Sequence, residues 1–167
     1  MGHPLLRATA RAVERGQIRT PSVQQLIDDM IDTMLEYRGV GLAAPQVHQS
    51  VRIFVASLDA GEEDATHEPM ALINPEVSAV GSDVVEDWEG CLSIPDIRGR
   101  VPRARAVKVR AYDRLGERIE IRAEDYAARI IQHETDHLDG ILFFDRMRAF
   151  DTLTFLDEYS RYWVKDD

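Results

Sequence analysis

The sequence predicts an α+β fold: a small set of antiparallel or mixed strands packed around a central helix that carries a His-Glu-x-x-His motif, with one helix nearer each end. Three observations carry this. Helical segments are confined to three stretches, Val23 to Arg38, Asp125 to Leu138 and Thr152 to Trp163. The runs between them are short, tend to alternate in period two, and are punctuated by Gly, Pro and Asn. The strands form a block and do not alternate with helices, which disfavours a parallel βαβ sheet.

The first twenty residues hold Arg7, Arg11, Arg15 and Arg19 at four-residue spacing, one stripe if the segment were helical, though Pro4 and Gly16 argue against a continuous helix. From Val23 the apolar positions Leu26, Ile27, Met30, Ile31, Met34 and Leu35 recur at helical spacing. Ser22 with Gln25 forms a capping-box pattern, and Gly39 supplies a stop. Asp28, Asp29, Asp32 and Glu36 then face water. Val51 to Ala56 reads as a strand and Asp59 to Pro69 as an exposed acidic loop. Met70 to Ile73, Glu76 to Val80 and Val84 to Glu86 read as short strands separated by Asn74-Pro75 and Gly81. Ala106 to Asp113 and Glu117 to Arg122 alternate around Arg114-Leu115-Gly116, a hairpin pattern. The second helix stops at Gly140.

At 167 residues the chain suggests one domain with a real core. Twenty basic against thirty acidic side chains leave a net charge of −10, which argues against a general binder of DNA or of anionic membranes. The single cysteine, Cys91, permits no intrachain disulfide. No apolar run approaches the ~20 residues of a membrane span, and Met1 to Arg19 has no apolar signal-peptide core. A cytoplasmic, reducing compartment is the expectation. The basic stretch Arg98, Arg100, Arg103, Arg105, Lys108 and Arg110 partly fits the outer face of a strand; contact with RNA or a peptide carboxylate is the alternative.

Three segments carry chemistry. His133-Glu134-Thr135-Asp136-His137 places two imidazoles one turn apart on one helix face, spaced to hold a divalent cation, with Glu134 beside the first. Two surface histidines on a polar helix are the bland alternative. A catalytic site of this kind needs a third ligand and an open position. Downstream there is no His, and no carboxylate repeats the metzincin spacing. Upstream, Cys91 lies in Glu89-Gly90-Cys91-Leu92-Ser93-Ile94-Pro95, flanked by chain breakers. It is either an inert packed thiol or the third ligand of a one-thiolate, two-imidazole site. The third segment, Gly39-Val40-Gly41-Leu42-Ala43-Ala44-Pro45-Gln46, is not a dinucleotide fingerprint: Ala44 replaces the last glycine and no strand precedes it. It reads as a tight loop, or as backbone that approaches a ligand closely with the Gln46 amide aimed at a carbonyl oxygen.

Together these segments resemble the motifs of the peptide deformylase family, a G-x-G-L-A-A-x-Q loop, an E-G-C-L-S turn and a Q-H-E-x-D-H helix, in the family's order. The resemblance extends through Asn74-Pro75, Val101-Pro102-Arg103 and Gly140-Ile141-Leu142-Phe143 to nearly the whole chain. It implies a hydrolase that removes the formyl group from N-formylmethionyl nascent chains. Cys91, His133 and His137 would hold the metal, Fe(II) with Zn(II), Ni(II) or Co(II) as substitutes, and water would be the fourth ligand. Glu134 would act as general base and then acid, and Gln46 and the Leu92 N–H would stabilise the oxyanion. Val40, Gly41, Glu89, Arg129 and Ile130 would meet the substrate. An Fe(II)–thiolate site would be oxygen-sensitive. Transient contact with the ribosome also follows, but no membrane partner and no DNA.

Against the family pattern, Gly2 to Arg7 reads as a shortened start. Ala127-Ala128-Arg129-Ile130 and Tyr162-Trp163-Val164-Lys165 resemble the organellar branch, without a transit-type presequence. The tail is short and acidic at Asp166 and Asp167 where some bacterial members carry a long basic helix. Arg129 and Asp87 replace apolar residues of the family, and the expectation is that they pair at the pocket edge; a solvent-directed Arg129 is the alternative. Two other classes compete, a zinc endopeptidase with a different third ligand and a non-catalytic metal-binding module. A deformylase relative specialised for another acylated amine is a further alternative.

Overall fold

The computed structural model describes residues 1–61, 63, 66 and 68–164. Parts of the loop expected at 59–69, and the expected tail residues Lys165, Asp166 and Asp167, lie outside these. Helix α1 spans Pro21–Glu36, α2 Asp125–Leu138 and α3 Leu156–Tyr162. The strands are β1 Gly41–Ala43, β2 Ile53–Ala56, β3 Met70–Ala79, β4 Val84–Cys91, β5 Ile94–Ala104, β6 Ala106–Tyr112, β7 Arg118–Glu124 and β8 Thr154–Phe155. They form a five-stranded sheet in the order β1-β2-β3-β6-β7 and a three-stranded sheet in the order β4-β5-β8, and each of these strand pairs is antiparallel.

Alternation sorts the core. Ile53 and Val55 of β2, with Ala71 and Ile73 of β3, turn toward Ile27, Met30 and Met34 of α1. Phe54, Ala56 and Leu72 turn the other way, toward Ala128, Ile131 and Leu138 of α2. So β2 is covered on both faces, and all four of its residues are buried. A third cluster, Cys91, Ile94, Val101, Leu142 and Phe143, packs the smaller sheet against the turn after α2.

Several expectations shift. Helix α1 begins at Pro21 with Thr20 at the N-cap and no capping bond from a side chain, so the Ser22–Gln25 box does not form. Proline at the first position needs no N–H partner, which makes it a sufficient start. The stop is Arg38, at φ +53, with Gly39 N–H bonded to the Met34 carbonyl and Arg38 N–H to that of Leu35. The left-handed residue of this Schellman turn is therefore one place before the expected glycine. Helix α2 ends as expected, with Gly140 at φ +73. The strands expected on either side of Asn74-Pro75 are one strand with a bulge. Asn74 sits at φ +51, and its amide holds Val13 in both directions, at 2.9 and 2.8 Å. The arginine-rich start is two short 3-10 turns and extended chain, not a helix. It runs past the end of α2, where Ala10 N–H caps the Leu138 carbonyl at 2.8 Å and the Arg7 backbone covers Gly140. The third helix is shorter than expected, and β8 precedes it.

Candidate active site

Because α2 lies between the two sheets, it is buried almost all round, including His133, Glu134 and His137. The two rings lie one turn apart, their centroids 5.0 Å from each other. Cys91 ends β4, where a register shift after Gly90 and the left-handed Asp96 (φ +60) bend the β4–β5 connection. That bend presents Sγ to α2, 3.3 Å from His137 Nε2. One donor atom from each of Cys91, His133 and His137 lies within 4.8 Å of the others, a candidate metal site. A thiolate and two imidazoles suit a borderline or soft divalent ion. Burial depresses the basicity of His137 and keeps it neutral, the form that ligates. Burial depresses His133 too, but hydrogen bonds to Cys91 and Glu89 outweigh it and raise its pKa.

Beneath His133 lies a network of charges. Glu89 accepts from His133 Nδ1 at 2.8 Å, from Arg103 at 2.9 and 3.0 Å and from Arg129 at 2.8 Å. Burial pushes the Glu89 carboxyl up, yet His133 and Arg103 outweigh it and hold the pKa down at about 2. Asp136 accepts from Arg103 and, at 2.7 Å, from Arg146. This network fixes the ring of His133 and leaves Nε2 toward the donor set.

Glu134 differs. It is buried, its Oε2 has no hydrogen-bond partner among the described residues, and burial raises its pKa to about 7. Its neighbour is β1, where a Cβ on Gly41 would fall 2.8 Å from Glu134 Cγ. Glycine is needed at this close approach. The 3-10 turn Ala44–Val47 presents Gln46. Its Oε1 accepts from Ala43 N–H at 2.8 Å, which points Nε2 at Ser93 Oγ (3.1 Å) and Cys91 Sγ (3.6 Å). Leu92 stands at the mouth, 40% exposed. A cleft of about 660 Å³ joins these groups, and Val40, Gly41, Glu89, Arg129 and Ile130 are among the residues that line it.

Arg129 corrects one expectation. It reaches neither the Asp87 carboxylate nor solvent. At 6% exposure its guanidinium bonds Glu89, the Val101 carbonyl at 2.8 Å and the Val85 carbonyl at 2.7 Å, and meets Asp87 only through its backbone oxygen at 3.4 Å. The Asp87 carboxylate instead accepts from Trp88 N–H. Sequence reasoning also missed Arg103, Asp136 and Arg146. Arg103 belongs to a basic stretch that otherwise faces outward, yet it is 5% exposed. The one signal was its alternation in step with buried Val101.

The helix with paired histidines, an upstream thiol and a buried carboxylate is the set of groups that a metal-dependent hydrolase uses. A family model described as polypeptide deformylase matches residues 1–152. The chain is 44% identical to peptide deformylase 2 of Nostoc sp., over 99% of this chain and 93% of the relative. It is 47% identical to the peptide deformylase of Halothermothrix orenii, over 88% and 90%. Among solved structures, the Met-Ala-Ser-bound class I type b peptide deformylase of Acinetobacter baumannii superposes with a TM-score of 0.81 at 40% identity, covering 88% of this chain and 94% of that one. The chain belongs to the polypeptide deformylase family, hydrolases that remove the formyl group from the N-terminus of new polypeptides.

Proposed function

We propose that this chain deformylates N-formylmethionyl peptides, with Cys91, His133 and His137 as ligands of Fe(II), for which Zn(II), Ni(II) or Co(II) would substitute. The observation that carries the reading is the Glu134 carboxylate, buried beside the three donor atoms with no partner for Oε2 among the described residues. An ion held there supplies Lewis acidity, which makes water more acidic and the formyl carbonyl more electrophilic. Glu134 takes the proton of the attacking water and returns it to the departing amine, so that formate and a free N-terminus result. A pKa near neutrality suits both transfers. The Gln46 amide, fixed by Ala43 N–H, and the Leu92 N–H stabilise the charge that grows on the formyl oxygen. Gly41 offers backbone to the peptide at the free edge of β1, and Val40, Arg129 and Ile130 border its first side chain. Glu89 borders the cleft too, but its role is to hold His133.

The working place proposed is the cytoplasm, in transient contact with ribosomes. Among the described residues no helix is long and apolar enough to cross a membrane. The test is formate release from formyl-Met-Ala-Ser by protein loaded anaerobically with Fe(II) or Ni(II), beside Glu134→Ala. Turnover lost in the variant with metal retained supports the reading. No turnover by loaded wild type overturns it.

A further inference from the structure

The cleft does not end at the metal donors. It continues across the outer face of β4 and β5, where its wall is made by Trp88, Arg98, Leu156 and Tyr159. The last two come from α3, which lies beyond the part of the chain that the family model matches. Helix α3 is tied back to this face in two ways. β8 pairs with β5 through Ile97 opposite Phe155 and Arg98 opposite Thr154. The Trp88 ring then meets Tyr159 edge-on at 4.9 Å and Trp163 at 5.2 Å. Edge-to-face pairs of this kind hold their partners in a fixed geometry. Arg98 lies across Gly90, where a Cβ would collide with its guanidinium, so the absence of a side chain at Gly90 lets Arg98 form the floor beside the aromatic wall.

We propose that the C-terminal segment forms an extended substrate subsite, in which Leu156, Tyr159 and Trp88 take a large apolar side chain of the peptide downstream of its first two residues. The subsite is continuous with the cleft that holds the metal donors, and a chain whose N-terminus is at those donors has to leave along the cleft. The wall is apolar and aromatic, so it selects by side-chain burial. Arg98, which donates within the protein to the Ile97 carbonyl, keeps further N–H donors for a peptide carbonyl. This inference rests on the deformylase reading above.

The test uses the full metal-loaded chain and two peptides, formyl-Met-Ala-Ser and formyl-Met-Ala-Ser-Leu-Phe. The Leu156→Ala/Tyr159→Ala double variant should lower the ratio of kcat/KM for the long peptide to that for the short one about tenfold, mainly through KM, as loss of apolar burial of this size predicts. An equal change on both peptides, which a merely structural role would cause, overturns the proposal. A second readout does not need turnover. Both tryptophans of the chain, Trp88 and Trp163, sit in this cluster. Titration with the unformylated peptide Met-Ala-Ser-Leu-Phe should therefore change tryptophan emission saturably, while Met-Ala-Ser should not. Emission that both peptides change alike, or that neither changes, counts against the subsite even if the protein proves inactive on formylated peptides.

Discussion

Arg129→Leu tests whether the buried guanidinium is structural. The substitution removes donors from the Val85 and Val101 carbonyls and from Glu89. Val85 and Val101 pair in the β4–β5 ladder with Arg103 and Asp87, so each carbonyl loses a second hydrogen bond at roughly 0.5–1.5 kcal/mol, and loss of the bond to the Glu89 carboxylate costs about 1.5–3 kcal/mol. Leucine recovers on the order of 1–2 kcal/mol through apolar burial. The net loss is about 3 kcal/mol. For a chain of this size about 1 kcal/mol moves Tm by roughly 2–4 °C, so the variant should melt about 6–12 °C lower. Thermal unfolding followed by far-UV circular dichroism measures this. Glu89 keeps Arg103 and His133, so metal content should stay at the wild-type level. Arg129→Lys should lie between, since a point charge reaches Glu89 but cannot span both carbonyls. A Tm within about 2 °C of wild type for Arg129→Leu would refute the reasoning, because three hydrogen bonds from a buried guanidinium cannot be lost at so little cost.

Gly41→Ala drives a methyl group into Glu134. It should lower kcat on formyl-Met-Ala-Ser on the order of a hundredfold while Tm falls only by the equivalent of about 1–3 kcal/mol. Unchanged kcat would show that Glu134 has room to move. Burial pushes the Asp145 carboxyl up, but Arg7 and the Leu142 N–H outweigh this and hold it below its ordinary 3.8. Its stabilisation is therefore fully present above pH 3.8 and is lost as pH falls through the lower folded value. The Tm gap between wild type and Asp145→Asn should close on acidification, and a gap that widens would contradict the sign. Fe(II)-loaded protein should lose activity in air faster than Ni(II)-loaded protein, because thiolate and ferrous ion both oxidise; equal rates would reject the Fe(II)–Cys91 pairing.

Much of the site was legible because its signals are local. The spacing of His133 and His137, the adjacent Glu134 and the stop at Gly140 all belong to one helix, whose limits were as expected. Strand β5 was not legible. Pro95, Gly99 and Pro102 break its pattern, and they are tolerated because β8 covers only Ile97 and Arg98 along its outer edge. The three-residue β1 was too short to show a period. The charge network was hidden for another reason: Arg103 finds Glu89 on another strand and Asp136 on α2, and nothing near Arg103 in the chain announces either partner. Arg129 showed its position on the helix but not its direction, which the carbonyls of β4 and β5 decide.

The cap on the last turn of α2 also sets an order of events during synthesis. Ala10 N–H closes the Leu138 carbonyl, and the Arg7 backbone lies over Gly140. Arg7 and Ala10 must therefore wait for Leu138 and Gly140, which are made much later in the chain. Until then the helix bearing His133 and His137 has an open terminus and an uncovered side, and the N-terminal segment has nothing to fold against. The histidine-bearing turn thus becomes rigid only once both segments have been made, and until then Cys91, His133 and His137 are not assembled.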